Sequence, residues 1–218
     1  MQGYYRFPTI YKNQIAFVCD DDLWISNLNN LVAQRLTTNI SNVSSPKFSP
    51  DGKYISYVGS EDGNTEVYII PSIGGTSKRL TFEGSFINKI CLWNKKGIYY
   101  SSDYEKPFGR ISDIRIYDLK DNVSKGLDFG ISSNIAFHKT FTVLGRNTAD
   151  PARWKRYKGG TAGELWIDLN ENKFKKLINI DGNLACPLVV QNRIYFISDH
   201  EGIGNIYSCL KNGNSLLK

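Results

Sequence analysis

Histidine is scarce in this sequence, and cysteine is scattered. Among 218 residues there are two histidines, His138 and His200, and four cysteines, Cys19, Cys91, Cys186 and Cys209. The nearest pair, Cys186 and Cys209, stands 23 residues apart, so there is no CxxC spacing. That excludes a zinc knuckle and a dithiol redox motif. With two separated histidines and no paired cysteine, neither a metal nor a cofactor is expected. The cysteines read as small buried hydrophobes in a reducing compartment. Long apolar runs are missing as well. Stretches such as Gln14–Cys19 stop after a few residues, short of the ~18 needed for a membrane helix. Residues 1–6 carry no basic region followed by an apolar stretch, so no secretion signal is read there. The expectation is a cytoplasmic protein without a membrane partner.

The motif search is equally sparse. There is no G-x-S-x-G elbow, P-loop, G-x-G-x-x-G or H-E-x-x-H. Gly202-Ile203-Gly204 reads as a glycine turn. Asp199-His200-Glu201 has acid–base residue types, but neighbours along a strand point to opposite faces, so a surface turn is the better reading. Asp20-Asp21-Asp22 lacks the alternate spacing and glycine of a calcium loop and reads as a solvated hairpin. No catalytic residue is assigned.

What the chain does contain is ordinary globular composition, with 41% apolar and 22% charged residues. Its net charge of +6 is concentrated. Arg146, Arg153, Lys155, Arg156 and Lys158 face one acid, Asp150, within a single short segment. A nucleic-acid footprint spread over the whole chain is thereby disfavoured.

The chain also repeats itself. Asp22-Leu23-Trp24-Ile25 resembles Glu66-Val67-Tyr68-Ile69, Asp113-Ile114-Arg115-Ile116, Glu164-Leu165-Trp166-Ile167 and Asn205-Ile206-Tyr207-Ser208. The aliphatic positions of these five elements are spaced by 44, 47, 51 and 41 residues. A second apolar element precedes each. Arg35-Leu36-Thr37 and Arg79-Leu80-Thr81 close the first two units identically, with weaker echoes at Gly126-Leu127 and Lys176-Leu177. Pro8, Pro46 and Pro187 mark the start of three units. The elements are short, rich in Ile, Val, Tyr, Phe and Trp, and separated by turn formers such as Ser49-Pro50-Asp51-Gly52.

About four short antiparallel strands per unit of ~40–50 residues is the signature of an all-β, β-propeller fold with TolB- or WD40-like repeats. A β-sandwich is the alternative and would not need the repeat. Approximate blades are 4–40, 41–84, 85–131, 132–180 and 181–218, within one propeller domain spanning 1–218. The strand that packs against the neighbouring blade should carry the Leu-Trp or Val-Tyr element. The fifth unit reaches Leu216-Leu217-Lys218 where its outermost strand is expected.

The basic segment interrupts the fourth unit and interleaves its charges with Trp154 and Tyr157. Such a segment can serve packing or assembly, grip a carboxylate through arginine, or stack and neutralise nucleic acid. Arg146, Arg153, Lys155, Arg156 and Lys158 are the candidate ligand-binding residues.

Here a family resemblance becomes specific. Arg146-Asn147-Thr148, then 154–161 and Glu164-Leu165-Trp166-Ile167, resemble the N-terminal propeller of tricorn proteases. Residues 17–24 resemble that family's first blade, and 193–208 its fifth. The resemblance implies a truncated six-bladed propeller with about five blades present. It implies a portion of a cytosolic serine peptidase that degrades oligopeptides downstream of a larger protease. Family members carry further propeller, PDZ-like and catalytic regions and form homo-oligomers. The implied partners are peptides or the remaining domains or subunits of such an assembly. This segment would act as channel and assembly surface, not as catalyst. The family's basic pair after its second blade has no counterpart in Thr81–Lys89, so no residue is carried over for it. The rival reading is a stand-alone propeller scaffold that binds proteins or peptides.

Overall fold

Alternation of apolar and polar residues, with β-branched and aromatic side chains at the apolar positions, commits the chain to short strands. The computed structural model describes residues 3–38, 41–109, 111–148 and 157–218. All regular elements among them are β-strands, and no helix is long and apolar enough to cross a membrane.

The described chain falls into two compact units, 1–128 and 129–218. The first unit holds three antiparallel sheets. One is β1 (Arg6–Tyr11), β2 (Gln14–Cys19), β3 (Asp22–Asn27) and β4 (Ala33–Arg35) in that order. The next is β5 (Ser44–Phe48), β6 (Tyr54–Gly59), β7 (Glu66–Pro71) and β8 (Lys78–Arg79). The third is β9 (Ile87–Asn94), β10 (Gly97–Ser102), β11 (Asp113–Asp118) and β12 (Val123–Gly126). The second unit holds two sheets. Its first comprises β13 (Asn134–His138), β14 (Phe141–Arg146), β15 (Glu164–Asp168) and β16 (Lys175–Lys176). Its second comprises β17 (Leu184–Val190), β18 (Arg193–Ser198) and β19 (Asn205–Leu210). Each sheet is an up-and-down meander, which is the blade of a β-propeller. The last has three strands rather than four, with one bridge from Ser208 to Leu217 along its outer edge.

The core is built between successive sheets. Ala16, Leu23 and Ile25 meet Ile55, Tyr57 and Ile70 in one cluster. Val58 and Val67 meet Ile90, Ile98 and Tyr100 in another. In the second unit Phe141, Leu165 and Ile167 pack on Ile194, Phe196 and Tyr207. Burial of each such side chain contributes about 1.5–3 kcal/mol. The repeated aliphatic position is wholly buried at Leu23, Val67, Ile114 and Leu165, but Ile206 is 66% exposed. Leu23, Val67 and Leu165 pack in clusters with the following sheet, as expected, whereas Ile206 in the fifth sheet is left exposed.

The closing Arg-Leu-Thr elements have a definite job. Thr37 Oγ1 donates to Asp22, and Arg35 Nη2 pairs with the same carboxylate while its Nε donates to the Thr37 carbonyl. Thr81 and Arg79 do the same for Glu66, with Arg79 Nη2 at 2.9 Å. In both blades the threonine hydroxyl also accepts the backbone N–H of the next residue, Leu23 or Val67. A latch thus ties the third strand to the segment closing its blade. It corrects the reading of Asp20-Asp21-Asp22 as a solvated hairpin. Asp21 is solvent-facing and paired with Arg6, whereas Asp22 is buried in the latch.

The three prolines also find an explanation. Phe7, Ser45 and Cys186, each just before one of them, adopt φ of 51°, 52° and 54°. At each, the first strand of the sheet slips register against its neighbour. Proline cannot donate to a ladder, so it is accommodated where a bulge interrupts one. The turn Ser49–Gly52 is tightened by Ser49 Oγ to Asp51 at 2.7 Å and by Gly52 N–H to the Ser49 carbonyl at 2.9 Å. Gly52 has φ of 74°, and a Cβ there would lie 2.1 Å from the Tyr11 ring.

Candidate functional site

The five basic residues were singled out by charge density, and the structure separates them. Arg153, Lys155 and Arg156 lie outside the described residues. Arg146, at the end of β14, is built into its sheet. It sits opposite Glu164, its guanidinium lies 4.3 Å over the Trp166 ring, and Nη2 donates to the Phe129 carbonyl at 3.4 Å. Its Nε is buried and without a hydrogen-bond partner among the described residues. Lys158 forms an ion pair with Asp181, both ends well exposed. Exposed pairs of this kind contribute about 0–1 kcal/mol.

Lys158 stands at the edge of a cavity of about 360 Å³ lined by Gly159, Glu164, Lys176, Asp181 and Leu184 among others. Its charges cancel pairwise, because Lys176 donates to Glu164 at 2.8 Å as Lys158 does to Asp181. The Lys176 hydrogen bond holds the Glu164 carboxyl below its ordinary range, with burial working against it. Trp166 Nε1 also donates to Glu164. The cavity therefore offers polar hydrogen-bonding groups around a nearly neutral lining.

A pair missed by the sequence reading anchors the return of the basic segment. Asn183 accepts from the Gly163 N–H and donates to the Tyr157 carbonyl at 3.2 Å. Its own N–H and amide donate to the two oxygens of Asp199 at 2.7 and 3.2 Å. Both residues are buried. A Cβ on Gly163 would sit 2.3 Å from the Leu184 carbonyl, so only glycine permits this close approach. Asp199 opens the turn read at this place, its carbonyl accepting the Gly202 N–H at 2.7 Å, while its carboxylate is a buried structural acceptor and not a surface group. His200 bonds Ser198 Oγ at 2.9 Å and packs on the Tyr207 ring, while Glu201 accepts from Tyr207 and Lys218. Residue order gives no signal for this pair, because its members stand 16 residues apart, Asn183 just before β17 and Asp199 just after β18.

The cysteines are free. Cys19 and Cys209 are buried, and burial pushes the Cys209 thiol up to about 11. Cys186 is exposed, contrary to the expectation of small buried hydrophobes, because its bulge turns it out of the sheet. Among the described residues, no three His, Cys, Asp or Glu side chains cluster as a metal site would require.

Comparison with known proteins gives a consistent answer. Residues 2–218 match the family described as the tricorn protease N-terminal beta propeller domain. A tricorn protease homolog from Saccharolobus solfataricus is 34% identical over 99% of this chain, which spans 21% of that protein. A putative tricorn-like protease N-terminal subunit from Sulfurisphaera tokodaii is 34% identical over 78% of this chain and 89% of its own length. Among solved structures, the crystal structure of the tricorn protease superposes with a TM-score of 0.89 at 30% identity. That match covers 99% of this chain and 22% of that one. The chain thus spans about one fifth of the length of the full-length curated relatives it matches.

Proposed function

Because the chain belongs to the tricorn protease N-terminal β-propeller family, we propose that it serves a tricorn-type peptidase assembly as its propeller portion. In this reading, oligopeptide hydrolysis downstream of a larger protease takes place elsewhere in the assembly. This segment guides peptides and offers a docking surface to the remaining domains or subunits. The two units form one propeller domain, working in the cytoplasm within a homo-oligomer. The observation that carries the reading is the match over residues 2–218 together with 30% identity to the tricorn protease at a TM-score of 0.89. The relative called an N-terminal subunit supports a segment of this kind acting as a separate polypeptide.

The basic segment is the proposed contact for acidic groups of a peptide or partner domain. Arg146 is engaged with Trp166 and Lys158 with Asp181. The contact is therefore assigned chiefly to Arg153, Lys155 and Arg156.

The test is reconstitution. The purified chain should leave fluorogenic oligopeptides intact. Mixing it with a polypeptide carrying the rest of a tricorn-like protease should yield a complex by sedimentation and raise peptide hydrolysis. Arg153→Ala, Lys155→Ala and Arg156→Ala together should weaken that complex or raise KM. Hydrolysis by the chain alone, or failure to associate with such a polypeptide, would refute the reading.

A further inference from the structure

The outermost strands of the sheets carry a repeated lysine, and the first sheet departs from it. Lys78 lies opposite Ile69, Lys125 opposite Ile116 and Lys175 opposite Ile167, the same position of the third strand each time. All three lysines are exposed. On β4 that position is Gln34, opposite Ile25 and equally exposed. In the fifth sheet it is Leu217, in a one-residue bridge with Lys218 beside it. A lysine on an edge strand discourages other strands from pairing with it. Arg35, next to Gln34, is held by Asp22 in the latch. Among the described residues no strand covers the outer edge of β4.

The rim beside Gln34 is uncharged as well. Residues 23–34 and 67–77 contain no acid and no base. The corresponding turns of the third and fourth sheets hold Asp118, Lys120 and Asp121, and Glu171 and Lys173. The two uncharged hairpins meet: a Cβ on Gly74 would lie 3.4 Å from Gln34 Nε2 and 3.9 Å from Leu36 Cδ2. Asparagines stiffen the β3–β4 turn. Asn29 N–H donates to Asn27 Oδ1, Val32 N–H to Asn30 Oδ1 and Leu31 N–H to the Asn27 carbonyl. The turn holds Leu31 76% exposed and Val32 70% exposed, and Ile73 on the adjoining hairpin is 83% exposed. Leu31 has φ of 53°, a left-handed conformation that disfavours leucine and suits glycine or asparagine. An apolar residue kept both out of the core and out of its preferred backbone region points to a function at that place.

We propose that this rim is the contact between two copies of the chain, their β4 strands pairing antiparallel about a two-fold axis at Gln34. It names the surface of the homo-oligomer proposed above and rests on that part of the reading. Three features select a second copy as the occupant. About such an axis residue 34 faces itself, Arg35 faces Ala33 and Val32 faces Leu36. Glutamine can face itself through amide hydrogen bonds, whereas a lysine there would set two like charges opposite each other, which is destabilising. Each copy carries a net charge of +6, so two copies repel least where neither presents a charge. A two-fold contact also uses the same patch twice. Leu31, Val32 and Ile73 of both copies then form one apolar centre inside a rim of asparagine, serine and threonine, as interfaces are built.

The experiment is sedimentation of the full chain across micromolar concentrations, with two variants beside the parent. Gln34→Lys copies the lysine of three other sheets, so it should melt as the parent does while weakening self-association about tenfold or more. Added salt should restore part of that loss by screening the introduced lysines. Leu31→Asn suits the backbone at that turn and should melt no lower than the parent, yet it should also weaken association. Position 34 is tested directly by Gln34→Cys in a Cys186→Ser background, since Cys186 is exposed. Mild oxidation should link two copies through it, whereas Lys78→Cys in the same background should stay unlinked. Three results would overturn the proposal. They are a parent that stays monomeric at hundred-micromolar concentration, undiminished association of Gln34→Lys, or no cross-link from Gln34→Cys. A chain that stays monomeric but binds the peptidase polypeptide would sink this contact and leave the assembly reading standing. A chain that dimerises through Gln34 and ignores that polypeptide would do the reverse.

Discussion

Replacing Glu66 by alanine should cost this protein about 3–5 kcal/mol, the usual loss when one partner of a buried ion pair is removed. Glu66 is wholly buried and accepts from Thr81 Oγ1, Arg79 Nη2 at 2.9 Å and the Gly84 N–H at 3.0 Å. Truncation would strand a guanidinium, a hydroxyl and a backbone N–H at once. The internal control is Glu164, at the same position of its own blade. There the carboxylate is 34% exposed, and its partner Lys176 is 38% exposed. Solvent screens that pair, so Glu164→Ala should cost no more than about 1 kcal/mol. At about 2–4 °C per kcal/mol, calorimetry should show Glu66→Ala melting roughly 6–20 °C lower and Glu164→Ala within a few degrees of the parent. Thr81→Val, which keeps the volume and removes one hydroxyl, should fall between them. Raising salt should weaken the Glu164 contribution more than the Glu66 one. Equal losses at the two positions, or a near-neutral Glu66→Ala, would refute the argument that burial sets the worth of the latch.

Gly52→Ala should destabilise by at least about 1–2 kcal/mol, since its φ is 74° and the new Cβ meets the Tyr11 ring. A Tyr11→Ala background should relieve only the steric part, which urea melts of the four proteins would separate. Thiol labelling at pH 8 should modify Cys186 first and Cys209 last, because burial raises the Cys209 pKa to about 11 and leaves almost no thiolate. Peptide mapping would show the order, and fast labelling of Cys209 in folded protein would contradict it. Asn183→Ala should loosen the return of the basic segment by removing its bonds to Gly163, Tyr157 and Asp199. Trypsin should then cut between residues 146 and 158 several-fold faster. Acid should act on Glu164 in a definite direction. Its carboxyl is held below the ordinary 4.5, so the stability it lends is present above that value and is lost as pH falls through its lower folded pKa. Glu164→Gln should flatten that part of the acid unfolding curve.

Strand positions, turn sites and the five-fold repeat could all be read from residue order alone. Alternation is a local property: a strand shows one face to its neighbour, and Leu23, Val67, Ile114 and Leu165 carry that face in their identity. The closing Arg-Leu-Thr elements were legible as a repeat for the same reason, and so was the family. What the order of residues could not specify is which polar groups are taken out of water. Asp22 and Asp21 are neighbours of one type, yet one is sealed in a latch and the other meets solvent. Asp199 looked like a surface acid until Asn183 was brought against it. Arg115 was read only as one member of the repeat, and its buried partner Glu83 comes from thirty-two residues away in sequence. The cost of burying a charge depends on a partner delivered by another strand. Only the tertiary structure decides whether that partner arrives, and with it which charges are structural and which remain available to bind.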